Sequence, residues 1–400
     1  MIRRLYTTGG RVIRRNIRRS QIRPLARRLY YQRPRPLVVT TRPTRGRLCL
    51  LIAAHNEELV IAKTLRSAIA AGMKPEHIYV VDDNSNDRTS QIAKSIVPAA
   101  NVIKVPRSGK GLALTRGSKH FELVRRYRWI HIADADGAFA PRYFNIFRRE
   151  LRVEYAAATG YIRSLPGKRV SEYRVYEYTV GMEIHRRLQT MLNVVPVIPG
   201  PTSCFRSDVF AKVNFDNKSL TEDFDVTIQL HRKKLGKIQF IPSAVAYTQD
   251  PKSLADYTKQ ITRWNRGGLQ SVVKYKIGFH PSRVDAYLSY QLFQNLLFFA
   301  SYLLWVPYLT IARHSWAVVA TAFVIDVLVT FIITTLTAAR TLRWDVISAF
   351  PQVYMLRWVS LAVFLRAFTE VIILGKFRNT DGKWENRSTR RYVMEPEALK

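Results

Sequence analysis

Two apolar stretches near the C-terminal end, Ala286–Ala312 and Trp316–Ala338, constrain this chain more than any other feature. Each is long enough to cross a hydrocarbon layer about 30 Å thick as a helix, which satisfies all of its own backbone hydrogen bonds. Only Arg313–Ser315 separates them, so a hairpin is expected whose outer ends lie on one side of a membrane. Arg340 and Arg343 follow the second stretch, which makes that side the cytosolic one by the positive-inside rule. The residues preceding the hairpin are then expected on the cytosolic side as well. A third stretch, Val346–Leu374, is interrupted by Pro351, Arg357, Arg366 and Glu370, and it suits a third span as well as an interfacial or re-entrant segment. Polar Gln291, Gln294, Asn295 and Asp326 lie inside the two spans, where they could line a path or hydrogen-bond between helices.

The charge is equally uneven. There are 64 Lys and Arg against 29 Asp and Glu, a formal net charge of +35, which suits a polyanion, an anionic membrane surface or a phosphorylated substrate. Fifteen Arg fall between Met1 and Arg47, with no Lys and no acidic residue. This arm, residues 1–46, fits a juxtamembrane basic tail, an amphipathic lipid-binding helix or an organelle transit peptide; it lacks the apolar core of a secretory signal. With only Cys49 and Cys204 there is neither a disulfide framework nor a spaced zinc set, which suits a reducing compartment.

From Arg47 to about residue 280, short apolar runs alternate with helical patterns. Leu48–Ala53, His77–Val81, Val102–Val105 and Trp129–Ala133 read as strands, and Glu58–Ala71 as a helix. That rhythm predicts an α/β domain over residues 47–280 with a mostly parallel sheet, and ligands at the carboxyl ends of its strands. A membrane region at 286–374 and a tail at 375–400 complete the expected organisation.

Four groupings could carry chemistry. Asp82-Asp83-Asn84-Ser85-Asn86-Asp87 follows a strand and could equally be an Asx-rich turn capping a helix near Arg88. Asp134-Ala135-Asp136 also follows a strand, where two carboxylates can share a divalent cation with phosphate oxygens. Thr221-Glu222-Asp223 precedes the amphipathic run Phe224–Lys234; Thr221 would cap that helix, and a carboxylate there could serve as general base. Gln260, Arg263 and Trp264 share one helix face, where Arg can fork onto a diphosphate and Trp can face a sugar ring, or both can form a belt ahead of the membrane.

Taken together and in this order, the four resemble family-2 glycosyltransferases with a GT-A fold, most closely the membrane-integrated β-glycan synthases of hyaluronan, chitin, cellulose and poly-N-acetylglucosamine. Ala54-His55-Asn56-Glu57-Glu58 is similar to that family's P-x-N-E-E, with His55 where Tyr is usual. Gly109–Leu114 is similar to its G-K-x-x-A-L segment, and Gly200–Arg206 to its G-P-x-x-x-[FY]-R segment. The resemblance implies a Rossmann-like, mostly parallel GT-A domain followed by transmembrane helices. It implies that Ala53, His55, Glu57, Asp82, Asp83 and Lys110 meet the nucleotide, and that Asp134 and Asp136 hold Mg²⁺ or Mn²⁺. It further implies that Asp223 is the catalytic base, and that Glu222, Gln260, Arg263 and Trp264 bind acceptor and diphosphate.

The expected activity is inverting, metal-dependent transfer from a UDP-sugar, UDP-N-acetylglucosamine or UDP-glucose, onto a growing β-linked glycan. Transfer of one sugar to a lipid acceptor is the enzymatic alternative, and a non-catalytic polyanion binder the remote one. Membrane lipids and association with further copies are expected, since two or three spans make a small channel. Nucleic acid is not, because no nucleic-acid module is recognisable. The plasma membrane, with the catalytic domain facing the cytosol, is the expected location. Lys383–Arg387 is similar to a Trp/Arg segment that in relatives returns to the active site, which would keep the tail cytosolic.

Overall fold

The computed structural model describes residues 47–164, 170–215 and 219–376, together with a two-residue ladder pairing Thr7–Thr8 with Arg11–Val12. That ladder belongs to a separate unit, Met1–Val38. The rest of the Arg-rich arm and the segment Lys383–Arg387 lie outside the described residues.

Eight strands form one sheet: β1 (Leu48–Ala54), β2 (Ile78–Asp82), β3 (Val102–Lys104), β4 (Trp129–Asp134), β5 (Ala138–Phe139), β6 (Tyr155–Ser164), β7 (Ser203–Arg206) and β8 (Lys237–Thr248). Their order is β3-β2-β1-β4-β7-β6-β8-β5. β1 pairs parallel with β2 and β4, β2 with β3, and β6 with β8; β7 and β5 run antiparallel to their neighbours. The chain leaves β3 at the edge and re-enters beside β1 as β4, so a crevice opens at the carboxyl ends of β1 and β4.

β1 is buried at every position, as befits a central parallel strand covered on both faces. Because successive side chains point to opposite faces, Leu50 and Ile52 join one core layer with α1 (Ile61–Ala70), α2 (Thr89–Lys94) and α5 (Tyr143–Glu150). Cys49 and Leu51 join the other, with α3 (Lys110–His120), α4 (Leu123–Arg126) and α9 (Glu222–Arg232). The expected starts of α1 and β2 move. α1 begins at Ile61 and not Glu58, because Asn56 takes a φ of 52° and the Glu57 carbonyl first closes a turn with the N–H groups of Val60 and Ile61. β2 begins at Ile78 because Pro75–His77 forms a 3₁₀ turn.

Between β6 and β7, α6 (Val170–Thr179) continues through a π turn, Val180–Arg186, into α7 (Arg187–Leu192); α8 (Ser207–Phe210) follows β7. α10 (Leu254–Lys274) precedes two long apolar helices. α11 (Arg283–Ala300), a π turn and α12 (Val306–Arg313) make one 31-residue helix, and α13 (Ala317–Thr341) the second; both are long and apolar enough to cross a membrane. After α14 (Asp345–Ser348), α15 (Phe350–Phe368) occupies the third stretch. Pro351 falls in its first turn, where a missing N–H breaks no helical bond. On one side α15 packs against α6 and α10, with Val353 and Leu356 clustered with Tyr173, Tyr257 and Ile261. On the other, Arg357 pairs with Asp326 of α13 at 2.5 Å, and Tyr354 donates to the same carboxylate at 2.8 Å. Asp326 is therefore a helix-to-helix tie in this arrangement.

Candidate functional site

The carboxyl ends of β1, β2 and β4 bring together residues that the resemblance assigns to the nucleotide. Register sets Ala53 opposite Asp134 and Ala54 opposite Asp82. His55 Nδ1 lies 2.9 Å from the Asp83 carbonyl oxygen, and the Asp83 N–H donates to the Ala54 carbonyl at 2.8 Å. The Asp83 side chain, wholly buried, accepts from Ser108 N–H at 2.7 Å and Gly109 N–H at 2.8 Å, so it holds the loop that leads into α3. Asp82 is engaged within its own loop. One of its oxygens accepts from Ser85 N–H and the other from Ser90 Oγ, both at 2.6 Å, and the side chain is buried. It organises the 83–90 loop. Glu57 is also buried, and its N–H donates to Thr89 Oγ1 at 2.8 Å.

Lys110, the first residue of α3, ties the groupings to one another. Its Nζ lies 2.6 Å from Asp134 Oδ1 and 2.6 Å from Glu222 Oε1. One ammonium thus bridges the end of β4 and the first turn of α9. Although burial opposes it, Asp134 and Glu222 hold the Lys110 ammonium well above its ordinary value. Against the burial that would raise it, Lys110 keeps the Glu222 carboxyl below the usual range. Asp223, next in the chain, is pushed up to about 6 by burial and by the Glu222 charge, with Lys110 opposing.

Thr221 occupies the N-cap position of α9, yet its hydroxyl caps nothing: it is buried without a hydrogen-bond partner. The reason is α10, whose Gly267 packs so closely that a Cβ there would come within 2.5 Å of Thr221 Oγ1. One turn earlier, Arg263 donates to the Leu220 carbonyl at 3.1 Å. α10 is thereby fixed across the start of α9. Gln260 and Trp264 turn instead toward α6, where Arg174 donates to Gln260 Oε1 and sets its guanidinium 4.8 Å from the Trp264 ring centre.

Asp134 and Asp136 offer the hard oxygen donors that Mg²⁺ and Mn²⁺ take. Among the described residues no group of three or more His, Cys, Asp or Glu side chains is arranged to hold a metal ion. The pair therefore suits a cation completed by phosphate oxygens and water better than a cage of protein ligands.

Residues 45–267, more than half of the chain, match the family described as glycosyltransferase like family 2. The chain belongs to glycosyltransferase family 2. This family-2 protein is 27% identical over 267 residues to the probable glycosyltransferase YdaM of Bacillus subtilis, covering 63% of each chain. It is 26% identical over 235 residues to the poly-beta-1,6-N-acetyl-D-glucosamine synthase of Staphylococcus aureus, covering 57% of this chain and 56% of that one. It spans less than two thirds of the length of either relative. Among solved structures, the mannosyltransferase PcManGT from Pyrobaculum calidifontis, in complex with GDP-Man and Mn²⁺, superposes with a TM-score of 0.50 at 18% identity, covering 86% of this chain and 92% of that one. The fold is GT-A-like, as the motifs implied.

Two features of this glycosyltransferase escape sequence reasoning. Arg174, only 1% exposed, joins Glu177 at 2.8 Å, Gln260, and the rings of Trp264 and Tyr257. One Arg in an ordinary helical run gives no signal of that. Gly200 lies so close to the bridge that a Cβ would sit 3.0 Å from Lys110 Nζ and 3.1 Å from Asp134 Oδ1. Its segment was legible as a motif, but not its close approach to Lys110 and Asp134.

Proposed function

We propose that this protein transfers a sugar with inversion from a UDP-sugar, UDP-N-acetylglucosamine or UDP-glucose, to a hydroxyl of a growing β-linked glycan at the cytosolic face of the plasma membrane. One observation carries the reading: Asp223, poised near pH 6, adjoins the Glu222–Lys110–Asp134 bridge at the mouth of the β1/β4 crevice. A general base works best with an affinity for protons close to the operating pH. Asp223 would take the proton of the acceptor hydroxyl while the nucleotide leaves from the opposite face of the sugar, so an α-linked donor yields a β-linkage. The loop organised by Asp83, with His55 beside it, would receive the nucleoside. Mg²⁺ or Mn²⁺ held by Asp134 and Asp136 would supply Lewis-acid neutralisation of the departing diphosphate. Lys110 adds a fixed positive charge at the same point. Gln260, Arg263 and Trp264 would seat the acceptor end, where orientation contributes most.

Similarity to the poly-beta-1,6-N-acetyl-D-glucosamine synthase supports polymer extension. One sugar added to a lipid acceptor is the second reading; the Arg232–Asp285 pair, which ties α9 to the first apolar helix, fits both. The test is nucleotide release by purified protein from a panel of UDP-sugars and GDP-mannose, with and without Mn²⁺ or Mg²⁺, beside Asp223→Asn, followed by sizing of the product. Metal-dependent release abolished by the substitution supports the proposal, and product length decides between polymer and glycolipid. No release from any donor, with lipid and glycan acceptors supplied, would overturn it.

A further inference from the structure

The helical segment through the π turn Val180–Arg186 and α7 is packed on one side only. Met182, Arg186 and Gln189 are buried, whereas Ile184, Leu188, Met191 and Leu192 are 57%, 47%, 82% and 46% exposed. The four exposed positions are spaced i, i+4, i+7 and i+8, which makes a single apolar stripe along the helix. Two polar contacts fix where that stripe lies. Glu183 meets Arg340, in the last turn of α13, at 3.4 Å. Gln189 donates to the Tyr287 hydroxyl, near the start of α11, at 2.9 Å. The start of the first membrane helix and the end of the second are the same end of the hairpin, so this helix is tied at both contacts to the level where the hairpin leaves the bilayer. Phe279, 85% exposed in the turn before α11, adds a further apolar group ahead of the first membrane helix. Arg187 and His185, both exposed, flank the stripe as snorkelling or headgroup-facing groups would.

From these positions we infer that the 180–192 helix is a lipid-docking element whose Ile184, Leu188, Met191 and Leu192 enter the headgroup–acyl boundary of the bilayer that holds the hairpin. This rests on reading α11–α12 and α13 as membrane spans. The consequence reaches the site. Arg186 donates to the Val197 carbonyl at 2.6 Å, and Thr227 of α9 accepts from Ile198 N–H at 2.9 Å, immediately before Gly200 at the Lys110–Asp134 pair. The docked helix thus continues into the wall of the crevice, and the acceptor side of the site opens close to the bilayer surface.

Both native cysteines are fully buried, so one introduced cysteine can be labelled selectively. Met191→Cys and Leu188→Cys, carrying an environment-sensitive fluorophore, would be compared with Leu303→Cys in the first span and Arg125→Cys on the soluble domain, in the full chain reconstituted into phosphatidylcholine–phosphatidylglycerol vesicles. The expected result is blue-shifted emission at 188 and 191, quenched by doxyl-labelled lipid and shielded from aqueous iodide, with 303 behaving alike and 125 the reverse. Iodide quenching at 188 and 191 with lipid quenching at 303 would overturn the docking while leaving the spans in place. Shielding from both quenchers at 188 and 191 would also overturn it, in favour of a second copy of the chain. Loss of lipid quenching at 303 would remove the spans and the inference together. None of these outcomes depends on transferase activity, so failure of the catalytic reading is scored separately.

Discussion

Arg232, in the last turn of α9, grips Asp285 near the start of α11 through two hydrogen bonds of 2.5 and 2.8 Å. α9 begins at Glu222 and Asp223, so one helix about 15 Å long joins the candidate base to the long apolar helices. The Asp285 side chain is 1% exposed and also accepts from Gly278 N–H at 3.0 Å. Removing one partner of a buried ion pair leaves the other uncompensated, at a cost of about 3 kcal/mol. Asp285→Ala should therefore lower the thermal unfolding midpoint in detergent by several degrees, and Asp285→Asn by less. An unchanged midpoint in both would mean that the joint contributes nothing.

The pH–rate profile should report Asp223. A general base must be unprotonated, so kcat/KM is expected to fall as pH drops through about 6, the value to which burial and the Glu222 charge raise this carboxyl. Lys110 opposes that rise. Lys110→Gln should shift the acid limb to higher pH, and Glu222→Gln, which removes the neighbouring negative charge, should shift it lower. Acid limbs that coincide in all three proteins would exclude Asp223 as the titrating group.

Neighbouring glycines in α10 make a controlled pair. A Cβ at Gly267 would meet Thr221 Oγ1 at 2.5 Å, whereas at Gly268 nothing lies within 4 Å. Gly267→Ala should force α10 away from the start of α9, destabilise the protein by about 1–3 kcal/mol and reduce transfer. Gly268→Ala should be neutral or stabilising by about 0.5–1 kcal/mol, since alanine is the better helix former. Equal effects of the two in thermal unfolding would contradict the close packing.

Arg174 is expected to act through Trp264 and Gln260. Arg174→Lys keeps the charge but loses the planar fork and most of the stacking, so a rate loss of roughly tenfold is expected with the fold intact. In a Trp264→Phe background much of that loss should disappear, because contacting residues are not additive. Full additivity in the double-mutant cycle would show that Arg174 does not position Trp264.

The periodic apolar runs were enough to announce an α/β domain and two long apolar helices, because the environment of a sheet or of such a helix writes itself into which positions must be apolar. β1, β3 and β4 were placed to within a residue at each end for that reason. Three of the four acidic and aromatic groupings fall at the ends of β2 and β4 and at the start of α9, and the fourth lies within α10. What no local pattern contained were the contacts that close across distance: Lys110 between Asp134 and Glu222, Gly267 against Thr221, Gly200 beneath Lys110, and Arg174 between Tyr257 and Trp264. Asp82 and Asp83 stand side by side in sequence, yet one braces the loop that follows it and the other holds the turn into α3. Likewise, the packing of Val346–Leu374 against α6, α10 and α13 could not be read locally, because its apolar surface suits either lipid or protein. Residue type states what a position can bury or bind; which partner meets it is settled by packing between elements far apart in the chain.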